Sequence, residues 1–388
     1  MVSHFCGSFP LPYTSQAAKD LPMPDRDDTL TYARHLQLER LLSCQERQSE
    51  KHGRPAHDEM LFIIVHQVYE LWFKEILFDL ERVQEIFSGS EVDDASLGQA
   101  VHLLGRIVEI QKLLIQQFDV LETMTPLDFL DFRDLLFPAS GFQSLQFRLL
   151  ETRLGLKREE RLAFDERPFD ARLAPEERKA LQGVEAAPSL SALVEAWLQR
   201  TPFVSVAGYD FREVYRQAVS DMLESEAEVV RRNPSLGEAE ITAELESLGA
   251  ARARFDSIFD EEQHRRLRDG GVWHLSWQAL QAALFINLYR DEPALQLPFR
   301  LLSALMDIDG NMTSWRYRHA LMVQRMIGRK VGTGGSSGHE YLRQTAERHR
   351  VFADLFALST FFIPRSRLPQ LPEEIRQAMG YRYRGAGL

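Results

Sequence analysis

The stretch HDEMLFIIVHQVYELWFKEILFDLERVQEIFSG, His57 to Gly89, decides how the rest of the chain is read. From Met60 to Tyr69 it carries no charge, and only His66 and Gln67 are polar. Apolar side chains then recur at Phe62, Val65, Tyr69, Trp72, Ile76, Leu80, Val83 and Phe87. Steps of three and four residues mark one face of a helix, with Asp58 placed to cap its start and Gly89 to end it. The first half is apolar nearly all round, which predicts burial on most sides. An imidazole there loses its water and needs a partner or a task. Phe62 and His66, four apart, share a face.

Working outward, 388 residues are enough for a large core, and length alone allows two or three domains. A composition of 44% hydrophobic and 27% charged residues is that of an ordinary globular protein. A net charge of −11 argues against nucleic acid, whose phosphates need a basic stripe, and against an anionic membrane surface. Cys6 and Cys44 are too few for a disulfide framework and have no metal-type spacing, so a cytoplasmic location is expected. The opening MVSHFCGSFPLPY lacks the charged and apolar regions of a signal peptide. Gly270 to Tyr289 is uncharged, but its Gly-Gly start, His274, two glutamines and Asn287 predict a buried helix rather than a membrane span.

Residues 1–28, rich in proline and small polar residues, read as an N-terminal arm, and residues 29–388 as a single helical domain. The helix TYARHLQLERLLSCQ places Tyr32, His35 and Leu36 on one face and Leu38, Leu41 and Leu42 on another. Periodicity alone fits a binding surface and an exposed helix histidine equally well. A long helix from Asp94 to Met124 predicts antiparallel packing on its predecessor. Thr125-Pro126 then starts a short helix, LDFLDFRDLLF, in which Phe129 and Arg133 face the same way. An arginine in such apolar company wants a carboxylate or phosphate in bidentate geometry; a structural pair with a nearby aspartate is the alternative. Ser140-Gly141 turns the chain into a helix ending near Arg153. Residues 154–187 are charged and proline-broken, and predict a surface excursion.

From Pro298 to Met326 an apolar helix carries Trp315, His319 and Val323 as a ladder on one face. A lone histidine in such a place is more often a satisfied core residue than a ligand. The following VGTGGSSG, residues 331–338, offers backbone amides and the Thr333 hydroxyl to an anion, or is simply a surface loop. Without a preceding strand and a Lys-Ser/Thr ending it is not a nucleotide loop. No sustained alternation of strand type occurs, so the expected class is all-α, a bundle of long helices.

Four blocks in this order, HDEMLFIIVHQVYELWF, TPLDFLDFRDLLFPASGFQSLQFRLLE, LMDIDGNMTSWRYRHALMVQRMIG and GTGGSSGHEYLR, resemble the tryptophan 2,3-dioxygenase family, and TYARHLQLERLLSCQ is similar too. The resemblance runs from about residue 30 to 365 and is weakest in the charged excursion. It implies a helical bundle around haem b, opening of the indole ring of L-tryptophan by O2 to N-formylkynurenine, and the first step of the kynurenine pathway. His319 matches the proximal iron ligand. Trp315 accompanies it on the haem side, and Ser140 matches a small polar residue at the haem edge. No CxxCH is present, so the haem would be held non-covalently, with ferrous iron as the active form. His66 matches the distal histidine that accepts from the indole N–H, Phe62 and Phe129 the pocket walls, and Arg133 and Thr333 the contacts to the amino-acid end. Tyr32, His35 and Leu36 match a helix that reaches a neighbouring subunit's pocket, which implies a homo-oligomer, a tetramer in the family. The family usually has tyrosine where this chain has His35. That departure keeps open a substituted tryptophan, or a related haem enzyme that inserts one oxygen atom into an indole or aromatic amino acid. A haem sensor without turnover would have no use for the residues matching Arg133 and Thr333.

Overall fold

A computed structural model describes residues 30–163, 168–206, 208–328 and 338–381. The arm at 1–28 and Thr333 lie outside the described residues. Three short helices, α1 (Tyr32–His35), α2 (Leu38–Leu42) and α3 (Gln48–Lys51), lead into α4 (Glu59–Ser88). The single N-terminal helix predicted by periodicity is broken at Gln37, whose φ of 52° interrupts the helical path between α1 and α2. α4 forms as its spacing predicts, burying Val65, Tyr69, Phe73, Ile76, Leu80, Val83 and Phe87. Asp58 is its N-cap residue, but its side chain makes no capping bond. Glu59, 1% exposed, instead accepts from the backbone N–H groups of Gln48 and Ser49 at 2.8 and 2.9 Å and ties α3 to the bundle.

α5 (Asp94–Leu121) is started by Asp93, whose carboxylate accepts from the Ser96 amide at 2.7 Å. It packs on α4, and the Tyr69 hydroxyl crosses between them to donate to the Leu114 carbonyl at 2.8 Å. α6 (Pro126–Arg133) has the predicted start: the Thr125 hydroxyl and Asp128 carboxylate each accept from the other's backbone amide. α7 (Leu145–Leu154) ends at Gly155, with φ 134°, where a Cβ would sit 2.1 Å from the Ser191 hydroxyl oxygen.

After α8 (Pro175–Glu185) and α9 (Leu190–Leu198), a two-residue hairpin, β1 (Ser205–Val206) with β2 (Tyr209–Asp210), is the only sheet among the described residues. The amphipathic pair α10 (Phe211–Arg232) and α11 (Glu238–Phe259) and the short α12 (Glu261–Asp269) follow. α13 (Trp277–Leu288), the uncharged window, has a run of buried residues from Ala279 to Ile286. No helix among the described residues is long and apolar enough to cross a membrane.

α14 (Pro293–Ile327) is the longest element. It begins upstream of Pro298, which forfeits one helical hydrogen bond while its neighbours stay packed in the core. α14 packs against α5 and against α15 (Gly338–Arg348); α16 (Ala353–Ala357) and α17 (Glu373–Met379) close the described chain. The architecture is all-α, as the patterning predicts.

The 154–187 segment departs from its expected surface character. Phe169, Leu173 and Leu181 join the core, and Arg161 is buried. The guanidinium groups of Arg148, Arg158 and Arg161 gather over the Phe169 ring, at 5.8, 5.0 and 4.2 Å from its centroid. Arg161 turns inward because it finds the Glu151 carboxylate and the Phe169 face there, while Lys157, Glu159, Glu176, Arg178 and Lys179 stay exposed.

Candidate active site

The bundle encloses a cavity of about 300 Å³ whose walls come from α4, α5, α6, α7, α14 and α15. That volume lies at the small end of those that hold organic ligands. Phe62, His66, Phe129, Arg133, Ser140, Trp315 and His319, predicted from separate parts of the sequence, all line it.

On the α4 side, Phe62 lies 4.1 Å from His66 and 5.7 Å from Phe129, ring centre to ring centre. The capped start of α6 fixes the turn that aims Phe129 and, one turn later, the half-buried Arg133 at this wall. His66 Nδ1 lies 2.7 Å from the Phe62 carbonyl oxygen. A carbonyl can only accept, so Nδ1 carries the proton and Nε2 of the neutral ring is left as an acceptor. His66 lines the cavity and keeps part of its surface accessible. Burial pushes its pKa below the ordinary histidine value, although the Phe62 carbonyl and Glu70 oppose the shift.

On the α14 side, His319 stands 5.1 Å from Trp315 and 6.0 Å from Phe118 between ring centres. Burial, with the His66 ring adding like-charge repulsion, pushes its pKa down to about 4, so the imidazole is neutral and able to ligate. His319 Nδ1 is buried with no hydrogen-bond partner among the described residues, whereas the Trp315 indole packs edge-on against Tyr69. Such an orphaned polar atom suits a site completed by a bound group rather than a finished core. Among the described residues no three His, Cys, Asp or Glu side chains converge as a metal site. One neutral imidazole in an aromatic slot suits a metal already ringed by a macrocycle, and these residues fit a haem.

Tyr32, His35 and Leu36 do not line this cavity. α1 has no buried residue, and Tyr32 is 76% exposed. Their face is exposed rather than turned to the chain's own site.

Pattern reading missed the cavity's charged end, where Arg148, Glu151, Arg316, Tyr341, Thr345 and His349 contribute. Glu151 Oε1 accepts from Arg316 Nη2 at 2.7 Å, and Oε2 from Arg161 and from Arg148. Arg316 also donates to the His349 carbonyl at 2.9 Å, so the cluster ties α14, α7 and the end of α15 together. Burial alone would raise the Glu151 carboxyl, but Arg161, His349, Arg316 and Arg148 together hold it well below the usual carboxylate range. A depressed folded value stabilises the fold above the unfolded glutamate value, about 4.3, and that contribution is lost as pH falls through the folded value. Glu151→Gln is expected to cost about 3–5 kcal/mol, because it strands buried guanidinium groups. An unchanged urea midpoint would contradict this. The available signal was a glutamate and two arginines set among the leucines of LQFRLLETRL.

The fold and site define a class: an all-α protein with one neutral imidazole on each of two walls of an aromatic cavity and an arginine beside them. A family model described as Tryptophan 2,3-dioxygenase matches residues 18–362. Proteins named tryptophan 2,3-dioxygenase from Bdellovibrio bacteriovorus and Alteromonas mediterranea are 50% and 49% identical to this chain. The first match covers 91% of this chain and 98% of the relative, the second 90% and 97%. One from Dictyostelium discoideum is 44% identical, over 90% of this chain and 88% of its own. This chain belongs to the tryptophan 2,3-dioxygenase family.

Proposed function

We propose that this chain opens the indole ring of L-tryptophan with dioxygen to give N-formylkynurenine, the first step of tryptophan breakdown by the kynurenine route. The observation that carries this is the convergence of Phe62, His66, Phe129, Arg133 and His319 on one cavity in a chain of this family. Family membership favours ring opening over single-atom oxygenation.

An indole offers one donor and a broad apolar surface, so aromatic walls and one acceptor are the least a pocket must supply. Phe62 and Phe129 are the walls, and His66 Nε2 accepts the indole N–H. The Arg133 fork takes the substrate carboxylate. Thr333 contacts the same end. Haem b, non-covalent and ferrous when active, is the cofactor; His319 would hold its iron, and Trp315 and Ser140 would line its site. When bound, it supplies dioxygen activation. The chain's own part is to orient the indole, exclude water and keep His66 neutral.

The test is turnover: reduced protein supplied with tryptophan and air should consume the amino acid and accumulate N-formylkynurenine. Haem-loaded protein that leaves tryptophan untouched overturns the proposal. The pH profile follows from His66. Its acceptor is present above its pKa and lost on protonation, so the acid limb assigned to it in kcat/KM should lie below 6.5. Loss of His66→Ala-sensitive activity already above that pH would contradict the role.

A homo-oligomer, a tetramer in this reading, completes the site by bringing Tyr32, His35 and Leu36 of one copy to another. Exposed apolar positions seven residues apart support it: Ile64, Leu71 and Phe78 on α4, and Leu113 and Val120 on α5. A cytoplasmic location fits the low cysteine content.

A further inference from the structure

A second cavity, of about 190 Å³, shares no lining residue with the first. Consecutive residues divide the two: His349 lines the first and Arg350 the second. Its volume is below the range of cavities that hold drug-sized ligands, so an occupant must be small. The carboxylates in its wall are all engaged. Glu195 accepts from Arg268 and from the Ser276 amide, both at 2.9 Å. Asp354 accepts from the His274 and Leu275 amides at 2.7 Å each, with the His274 ring at 3.3 Å. That contact with Asp354 raises the His274 pKa above the ordinary histidine value. Glu160 accepts from the Lys157 amide at 3.2 Å and lies 3.9 Å from His274 Nε2.

Two cations in the same wall are not so engaged. The Lys157 ammonium makes no hydrogen bond or ion pair among the described residues. Arg350 comes no nearer to a carboxylate than 3.8 Å, from its Nε to Asp309 Oδ2, and both of those atoms lack a hydrogen-bond partner among the described residues. Its guanidinium carbon lies 4.6 Å from the centre of the Phe356 ring, which leaves the terminal nitrogens without an acceptor there. The Ser189 and Ser191 hydroxyls stand 3.0 Å apart; one donates to the other, so one O–H proton is left over. We propose that this second cavity is a binding site for a small anion carrying a phosphate or carboxylate group, held by Arg350, Lys157 and the serine pair. The guanidinium supplies paired donors, the lysine a point charge and the serines a neutral donor. The ring-opening reaction makes no use of this site, and the inference stands apart from the haem and tryptophan reading.

The test is calorimetric titration of the full-length protein with sodium phosphate and with sodium succinate. Sodium chloride at equal ionic strength is the control, which removes general screening. At least one probe should bind saturably. Lys157→Gln should weaken that binding about tenfold, the size of a lost hydrogen bond to a charged group, and Arg350→Gln at least as much. Lys157 is exposed, so its variant should fold whatever becomes of Arg350→Gln. Binding of phosphate without succinate assigns the site to a phosphate group, and the reverse assigns it to a carboxylate. Binding of both supports the shared anion chemistry. Absence of saturable binding by either probe overturns the inference. Binding that Lys157→Gln leaves unchanged, or that is lost in Arg133→Lys instead, places the anion elsewhere and overturns it too.

Discussion

His319→Ala is expected to purify with little or no haem, while His66→Ala keeps a wild-type haem content and loses turnover. The two histidines occupy one cavity and both are neutral, yet they are built differently. His66 Nδ1 is engaged by the carbonyl one turn earlier, which fixes its tautomer and leaves an acceptor for a substrate donor. His319 Nδ1 has no partner among the described residues, and the ring stands among Trp315 and Phe118 on the longest helix. On the proposed reading, the His319 imidazole and apolar contacts would be what retain a non-covalent haem, so losing the imidazole should show directly in the Soret-to-protein absorbance ratio. Haem lost from His66→Ala and retained in His319→Ala would exchange the two assignments.

The second large effect is at Arg133. Arg133→Lys should weaken tryptophan binding about 10- to 100-fold, the range for hydrogen bonds to a charged group. Lysine keeps the charge, but a single ammonium cannot present two parallel donors to a carboxylate. Arg133 lies one turn after Phe129 on a helix whose start is fixed by a reciprocal cap, so the change should leave the pocket walls in place. The result should therefore be weaker binding of tryptophan with little change for indole itself, which has no carboxylate. Equal tryptophan affinity in wild type and variant would remove Arg133 from this role.

The sequence was most readable where one helix face carried the information. Phe62 with His66, Phe129 with Arg133, and Trp315 with His319 are each four residues apart, and each pair meets at the cavity. The Thr125-Pro126 start was equally legible because a cap and its helix are local in sequence. Periodicity could not show the break at Gln37, since a single left-handed residue leaves the apolar pattern on either side intact. Nor could it show that Arg161 turns inward. Its partner Glu151 lies ten residues earlier on another element, and a charged run carries no sign of which member is buried. Arg316 lies on the same helix as the His319 ladder, but periodicity gives no sign that it is buried. Its burial depends on Glu151 and the His349 carbonyl, contacts that only the folded chain brings together.

Turnover of L-tryptophan by the reduced protein under isotopically labelled dioxygen, followed by mass analysis of the product, tests the central claim most directly. Ring opening by this site predicts one product, N-formylkynurenine, carrying both labelled oxygen atoms from one dioxygen molecule. A product with a single labelled atom on an intact indole would contradict it.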